Sequence, residues 1–209
     1  MLLPAAGSGE RLGKGPKAFL RLGGKTLLER ALEAFAWADE IRVALPPGHT
    51  LQDEVNVTYR SGGASRQESV YLLLQEARGE LVLVHDVARP FVVPEAVERL
   101  LEAAQKTGAA TLAATLADTL VQNWRGRYGS VLPREDYQLV QTPQGFRREL
   151  LLEAHRQALA AGISASDDAQ IVMRLGHAVA LVPGDRRMFK ITYPEDLEIA
   201  EGLAKSWKS

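Results

Sequence analysis

The sequence contains no cysteine. That excludes a disulfide scaffold, a thiolate zinc site, an iron–sulfur cluster and a cysteine nucleophile. Asparagine occurs only 2 times, and lysine 7 times against 18 arginines. Scarce asparagine and cysteine follow a thermophile trend, whereas the arginine excess has codon bias as a second source. An excess of one charge is also missing: Lys plus Arg is 25, Asp plus Glu is 26, and the net charge is −1. A nucleic-acid coat or a polybasic membrane binder would be far more basic, so neither nucleic acid nor membrane is expected as a partner, and any basic site must be local. No apolar run approaches the roughly 18 residues of a membrane-spanning helix. The opening MLLPAAGSGERLG lacks the basic start and long apolar core of a secretory signal, and the expected compartment is the cytoplasm.

Two familiar nucleotide motifs are absent as well. From Gly7 to Gly13 there are 5 intervening residues, and Lys14 is followed by Gly15, so the Walker A spacing fails twice. A dinucleotide fingerprint fails by one residue, because Leu12 stands where its third glycine is required. The four histidines, His49, His85, His155 and His177, are scattered without metal-ligand spacing.

What is present is 209 residues at 46% hydrophobic and 24% charged, enough for one sizeable core. Short apolar runs alternate with amphipathic stretches. Leu2–Leu3, IRVAL (41–45), VNVTY (55–59), LVLVH (81–85), 109–115 and 178–182 read as strands. Residues 26–37, 65–77, 94–106, 147–161, 167–175 and 194–204 read as helices. Thr26…Glu29 and Ser65…Glu68 have capping-box spacing. The alternation implies an α/β doubly wound domain with a mostly parallel sheet, Rossmann-like, spanning 1–209 as a single unit. Residues 117–141 break the pattern. Two β-like pieces around Arg125–Gly126 read as a protruding β-arm.

The first strand runs into PAAGSGERLGKGPK, residues 4–17. Small residues and glycines let several backbone N–H groups converge on an anion, and Arg11 and Lys17 add charge, so the loop suits a polyphosphate. Asp86 follows the buried run LVLVH, where a carboxylate at a strand's carboxyl end is placed to hold Mg²⁺ on phosphate oxygens. Taken alone, each feature also has a plain structural explanation: a glycine-rich surface loop, a turn aspartate, a solvated basic turn at 184–190.

The loop, with its P-A-A-G-x-G-x-R and following P-K, resembles the signature of nucleotidyltransferases that make nucleotide-activated sugars and polyols. Four more motifs narrow the likeness: GGxxRxxSV (62–70), VHDVARP (84–90), QTPQxF (141–146) and KITxPEDL (190–197). In this order they resemble the 2-C-methyl-D-erythritol 4-phosphate cytidylyltransferase family of the non-mevalonate isoprenoid pathway, over nearly the whole chain. The resemblance implies transfer of a cytidylyl group from CTP to a polyol phosphate, with Arg11, Lys17 and Lys190 as catalytic cations and Asp86 as the Mg²⁺ ligand. It implies that Ala5, Ala6, Gly7, Gly9, Gly63 and Ser69 receive CTP, and that Arg89, Thr119, Arg134 and Ser166 receive the acceptor. It also implies a homodimer interlocked through the 117–141 arm, with Thr119 and Arg134 delivered to the partner's site. Ala64 and Met188 depart from the family pattern. A sister ribitol-5-phosphate cytidylyltransferase and a non-catalytic nucleotide sensor on the same fold are the alternatives.

Overall fold

The protein is described here by a computed structural model, which covers residues 1–207. The chain opens with β1 (Leu2–Pro4), passes through the glycine loop, and makes the short ladder β2 (Arg21–Leu22) and β3 (Lys25–Thr26) before α1 (Leu27–Ala34). It continues through β4 (Ile41–Leu45), β5 (Val57–Ser61), α2 (Arg66–Glu76), β6 (Leu81–Val84), α3 (Pro94–Thr107) and β7 (Ala109–Thr115). Then come β8 (Leu120–Trp124), β9 (Arg127–Leu132), β10 (Gln138–Arg147), α4 (Arg148–Ala160), α5 (Asp168–Arg174), β11 (Ala180–Pro183) and α6 (Pro194–Ala204).

Local chemistry sets several of these boundaries. Thr26 and Glu29 close a reciprocal capping box at the start of α1, as the spacing predicts. At α2 only half of the expected box forms. Ser65 Oγ accepts from Glu68 N, but the Glu68 carboxylate turns away to accept from Ala64 N at 2.7 Å. Pro94 opens α3 at a position where the missing N–H costs nothing, and Gly108 in the left-handed region closes it.

The large sheet has the order β11-β7-β10-β6-β1-β4-β5. All its pairings are parallel except those of β10, which runs antiparallel to both β6 and β7. Leu28 and Ala31 of α1 and Ala96, Val97, Leu100 and Ala104 of α3 bury one face. Val70, Leu73 and Leu74 of α2, Leu151 and Ala154 of α4 and Ile171 and Val172 of α5 bury the other. This is the doubly wound, mostly parallel architecture expected. From β1 the chain winds outward to β4 and β5, then returns to place β6 on the other side of β1. That reversal opens a crevice beyond the carboxyl ends of β1 and β6, where open α/β sheets bind ligands.

One strand escaped the sequence reading. Residues 138–141 were expected within the arm and 142–146 in no element, yet Gln138–Arg147 is one continuous strand at the centre of the sheet. Its inner residues are buried although they are largely polar: Gln141, Thr142 and Gln144 lie in the core with Phe146. No hydrophobic alternation marks them because their side chains bond to surrounding backbone. The arm is therefore shorter than 117–141. It comprises β8 and β9, which among the described residues pair only with each other, Leu120 opposite Leu132 and Trp124 opposite Arg127. Its tip is Arg125–Gly126, both at positive φ, the backbone a tight hairpin requires.

Candidate active site

A cleft of about 600 Å³ opens at the switch point. The loop after β1 forms one wall, through Ala5, Ala6, Gly7, Ser8, Gly9 and Arg11. Gly63, Ala64, Arg66 and Ser69, from the turn after β5 and the start of α2, form the opposite wall; Asp86 and Lys190 lie at its base with Lys17. Nine of the expected site residues thus meet in one cavity although the chain scatters them from Ala5 to Lys190, and Asp86 joins them.

The walls fit closely. Gly9 sits at φ 72°, and a Cβ there would lie 2.1 Å from the Gly15 carbonyl oxygen. A Cβ on Gly62 would come within 2.3 Å of Ala6 Cβ. Gly9 thus lets the glycine loop fold tightly on its own backbone, and Gly62 lets the second wall close on Ala6. Gly63 N donates to Ser69 Oγ at 3.1 Å, and Ser69 Oγ donates to Ser65 O at 2.8 Å. The Ser69 hydroxyl, expected to face a base, is thus spent on holding the Gly63 turn. The Ala64 N–H is likewise occupied, by Glu68.

The base of the cleft is a network of charges. Asp86 accepts from Arg66 Nε at 2.8 Å on one oxygen and from Lys190 Nζ at 2.6 Å on the other. Burial alone would raise its pKa, but the charges of Arg66 and Lys190 outweigh burial and hold the carboxyl far below the usual range. Lys190 reaches Asp86 because Ile191 N donates to Ala88 O at 2.9 Å, laying the Lys190–Thr192 segment against the turn after β6. Lys17 Nζ donates to Ile191 O at 2.7 Å. Burial, and then the nearby charges of Lys190 and Arg11, lower the Lys17 pKa. An ammonium has three donors, so the bond to Ile191 O leaves two for a phosphate. Arg11 lies over the Tyr193 ring at 5.8 Å.

Behind Asp86 a neutral chain of hydrogen bonds fixes the turn. Asp86 N donates to Thr142 Oγ1 at 3.0 Å; the Thr142 hydroxyl faces His85 Nδ1 at 3.2 Å; His85 Nε2 faces Arg89 O at 3.1 Å. A carbonyl can only accept, so Nε2 carries the proton and Nδ1 accepts from Thr142. Burial lowers the His85 pKa to about 4, which keeps the ring neutral in this role.

None of the four residues expected to receive the acceptor lines this cleft. Arg89 does not line the cleft; it donates to Met188 O at 2.9 Å and Val140 O at 3.3 Å, stitching β10 to the turn before Lys190. Ser166 is exposed outside the cleft, with Oγ 3.4 Å from Asp167. Thr119 and Arg134 lie at the foot of the arm, away from the cleft of their own chain, and Arg134 donates to Ala117 O at 2.6 Å. The sequence reading also passed over Arg66, although it lies in GGxxRxxSV, because a lone arginine at a helix start gives no sign of buried carboxylate partners. Asp167 caps α5, accepting from Gln170 N, whereas Asp168 beside it faces inward and is 0% exposed.

A backbone cradle at the switch point of a doubly wound sheet, ringed by Arg11, Lys17 and Lys190, defines a nucleotidyltransferase site. The model of the 2-C-methyl-D-erythritol 4-phosphate cytidylyltransferase family matches residues 1–206, and the chain belongs to that family. The enzyme of that name from Thermus thermophilus is 54% identical over 209 residues, 100% of this chain and 98% of its own length. The one from Deinococcus radiodurans is 52% identical over 203 residues, 97% and 88% of the two chains. The crystal structure of the Thermus thermophilus enzyme superposes with a TM-score of 0.90 at 53% identity, covering 98% of this chain and 97% of that one. The bifunctional enzyme from Campylobacter jejuni matches with a TM-score of 0.80 at 32% identity, over 94% of this chain and 52% of that one.

Proposed function

We propose that the cleft joins CTP to 2-C-methyl-D-erythritol 4-phosphate, releasing pyrophosphate and 4-diphosphocytidyl-2-C-methyl-D-erythritol. An oxygen of the acceptor phosphate attacks the α-phosphorus of CTP in line, and the bond to the β-phosphate oxygen breaks. The observation that carries the mechanism is the cluster of Arg11, Lys17 and Lys190 around one cleft, and the chemistry asks for no general base. A phosphate monoester, with a second pKa of about 6, is already an anionic nucleophile at neutral pH. Positioning and charge neutralisation then carry the catalysis. Arg11 and Lys17 offset charge growing on the α-phosphate and the departing pyrophosphate, Lys190 orients the acceptor phosphate, and the backbone of residues 5–9 and 63 receives the nucleotide. A non-catalytic sensor would not require these three cations together.

Among the described residues no group of three His, Cys, Asp or Glu side chains stands ready to hold a metal. Mg²⁺ is commonly held by one carboxylate plus substrate phosphates; Asp86 is the carboxylate at the cleft base, and each of its oxygens accepts one hydrogen bond, from Arg66 or Lys190, and keeps a second lone pair that would hold the ion. The ion would supply charge neutralisation on the triphosphate. The dimer belongs to the same proposal: the arm carries Thr119 and Arg134 into the partner's acceptor site, and the whole chain acts as one catalytic unit. No helix among the described residues is long and apolar enough to cross a membrane; we place the reaction in the cytoplasm, where CTP is made.

Pyrophosphate release measured with four nucleoside triphosphates, two polyol phosphates and a titration of Mg²⁺ tests the reading. CTP with methylerythritol phosphate should turn over, and chelation of the divalent ion should abolish turnover. Turnover with ribitol 5-phosphate or with another nucleotide, and none with this pair, would overturn it.

A further inference from the structure

The mechanism above makes no use of a second buried carboxylate, Asp168. It opens α5 on the far side of Arg66 from the cleft, fully buried, and accepts from Arg66 Nη1 at 2.8 Å. Arg66 thus bridges two carboxylates, Asp86 through Nε and Asp168 through Nη1, while its remaining nitrogen, Nη2, is buried without a partner. Among the described residues no other hydrogen bond orients the guanidinium. Its position depends on being drawn from both sides.

Asp168 is itself anchored twice over. Its other oxygen faces His155 Nε2 at 2.9 Å. The backbone N–H groups of Asp168 and Ala169 both donate to Gln144 Oε1 at 3.1 Å, and Gln144 Nε2 donates to Thr111 Oγ1 at 2.9 Å, which fastens the first turn of α5 to the centre of the sheet. The chain of contacts runs from that rigid centre through Asp168 and Arg66 to Asp86, and from Asp86 to Lys190.

We infer that Asp168 is a positioning residue for nucleotidyl transfer: by holding one arm of the Arg66 fork, it leaves the second oxygen of Asp86 to Lys190. Without Asp168, nothing opposes the attraction of Arg66 to Asp86. A guanidinium facing a single carboxylate favours a two-pronged pairing, which would take the oxygen that now orients Lys190. Lys190 would then be displaced from the place where it meets the acceptor phosphate. Misplacement by about 1 Å costs up to roughly 10²-fold in rate.

The inference rests on the role given to Lys190 above, and the experiment separates the two. Steady-state kinetics would be measured for Lys190→Ala, Asp168→Asn, His155→Phe and the double variant Arg66→Gln/Asp168→Asn beside Arg66→Gln, with thermal melting of each. Asp168→Asn should lower kcat about tenfold or more while the KM for CTP moves less than about threefold. Because Asp168 acts through Arg66, the double variant should be no slower than Arg66→Gln, whereas independent effects would multiply. His155→Phe keeps a ring beside Tyr71 and withdraws a donor from Asp168; its kcat should fall in the same sense, and it decides the matter if Asp168→Asn does not fold. An unchanged kcat in a folded Asp168→Asn, or losses that multiply in the double variant, would overturn the inference. An active Lys190→Ala would instead overturn the reading of the cleft.

Discussion

At the base of the cleft and just behind it two carboxylates are buried and matched: Asp86 lies between Arg66 and Lys190, and Asp168 between Arg66 and His155. On the arm the reverse holds. Trp124, Tyr128 and Val131 are 62%, 73% and 58% exposed, and among the described residues the β8–β9 ladder pairs with no further strand. A two-stranded hairpin is marginal in water unless something packs on it. The residues expected around the nucleotide therefore meet within one chain, whereas the arm leaves apolar side chains exposed. The distribution of Thr119 and Arg134, absent from the cleft of their own chain, follows the same division.

Four experiments test that contrast. The largest effect is expected from Lys17→Ala, which should lower kcat roughly 10²–10³-fold, the loss typical of a donor needed most in the transition state. The acceptor KM should barely move; activity within tenfold of the parent would remove Lys17 from the chemistry. Next is a mixing assay of Arg134→Ala with Lys17→Ala chains. After subunit exchange, half of the dimers should be mixed and each should hold one intact site, restoring about a quarter of the parent activity if the arm serves its partner. No recovery after verified exchange would make each chain's site self-sufficient.

The third concerns acid. His85 is buried and neutral with a pKa near 4, while the unfolded chain titrates near 6.5. The unfolded state takes up the proton first, so stability should fall as pH drops from about 6.5 towards 4, by on the order of 3 kcal/mol over the window. Urea midpoints at pH 7 and 5, compared with those of His85→Gln, measure it; equal slopes in the two proteins would assign acid sensitivity elsewhere. The smallest effect is expected from Trp124→Asp. It should shift sedimentation towards the monomer and leave CTP binding within about threefold, because no arm residue lines the cleft.

The difference between cleft and arm also governs what could be read from sequence. Segments with one buried face announced themselves: the capping box at Thr26, the buried run before Asp86 and the hairpin tip at Arg125–Gly126 all stand as the residues indicate. Strand β10 did not, because Gln141, Thr142 and Gln144 are in the core for their hydrogen bonds, and polar residues give no periodicity. Arg66 and Asp168 escaped for a related reason. Their significance lies in a contact across 102 positions of sequence, while each alone looks like an ordinary residue of a helix's first turn. The residues that the motifs assign to CTP do meet in one cleft, but the motifs give no sign that Ser69 and Arg89 are engaged with neighbouring backbone.

One feature of the sheet bears on how such a molecule could be taken apart. Gln138 stands directly opposite Thr115, so β7 and β10 are antiparallel neighbours at the very point where the chain leaves for the arm and comes back. Everything from 116 to 137 is, in topological terms, the loop of a β-hairpin. Loop length enters stability only logarithmically, so the sheet can host an insertion of this size at little cost and should tolerate its replacement by a tight two-residue turn such as Asn-Gly. Such a graft would leave β10 in place and Thr142 beneath Asp86. It would separate the excursion of residues 116–137 from the sheet that carries the cleft, without the core being rebuilt.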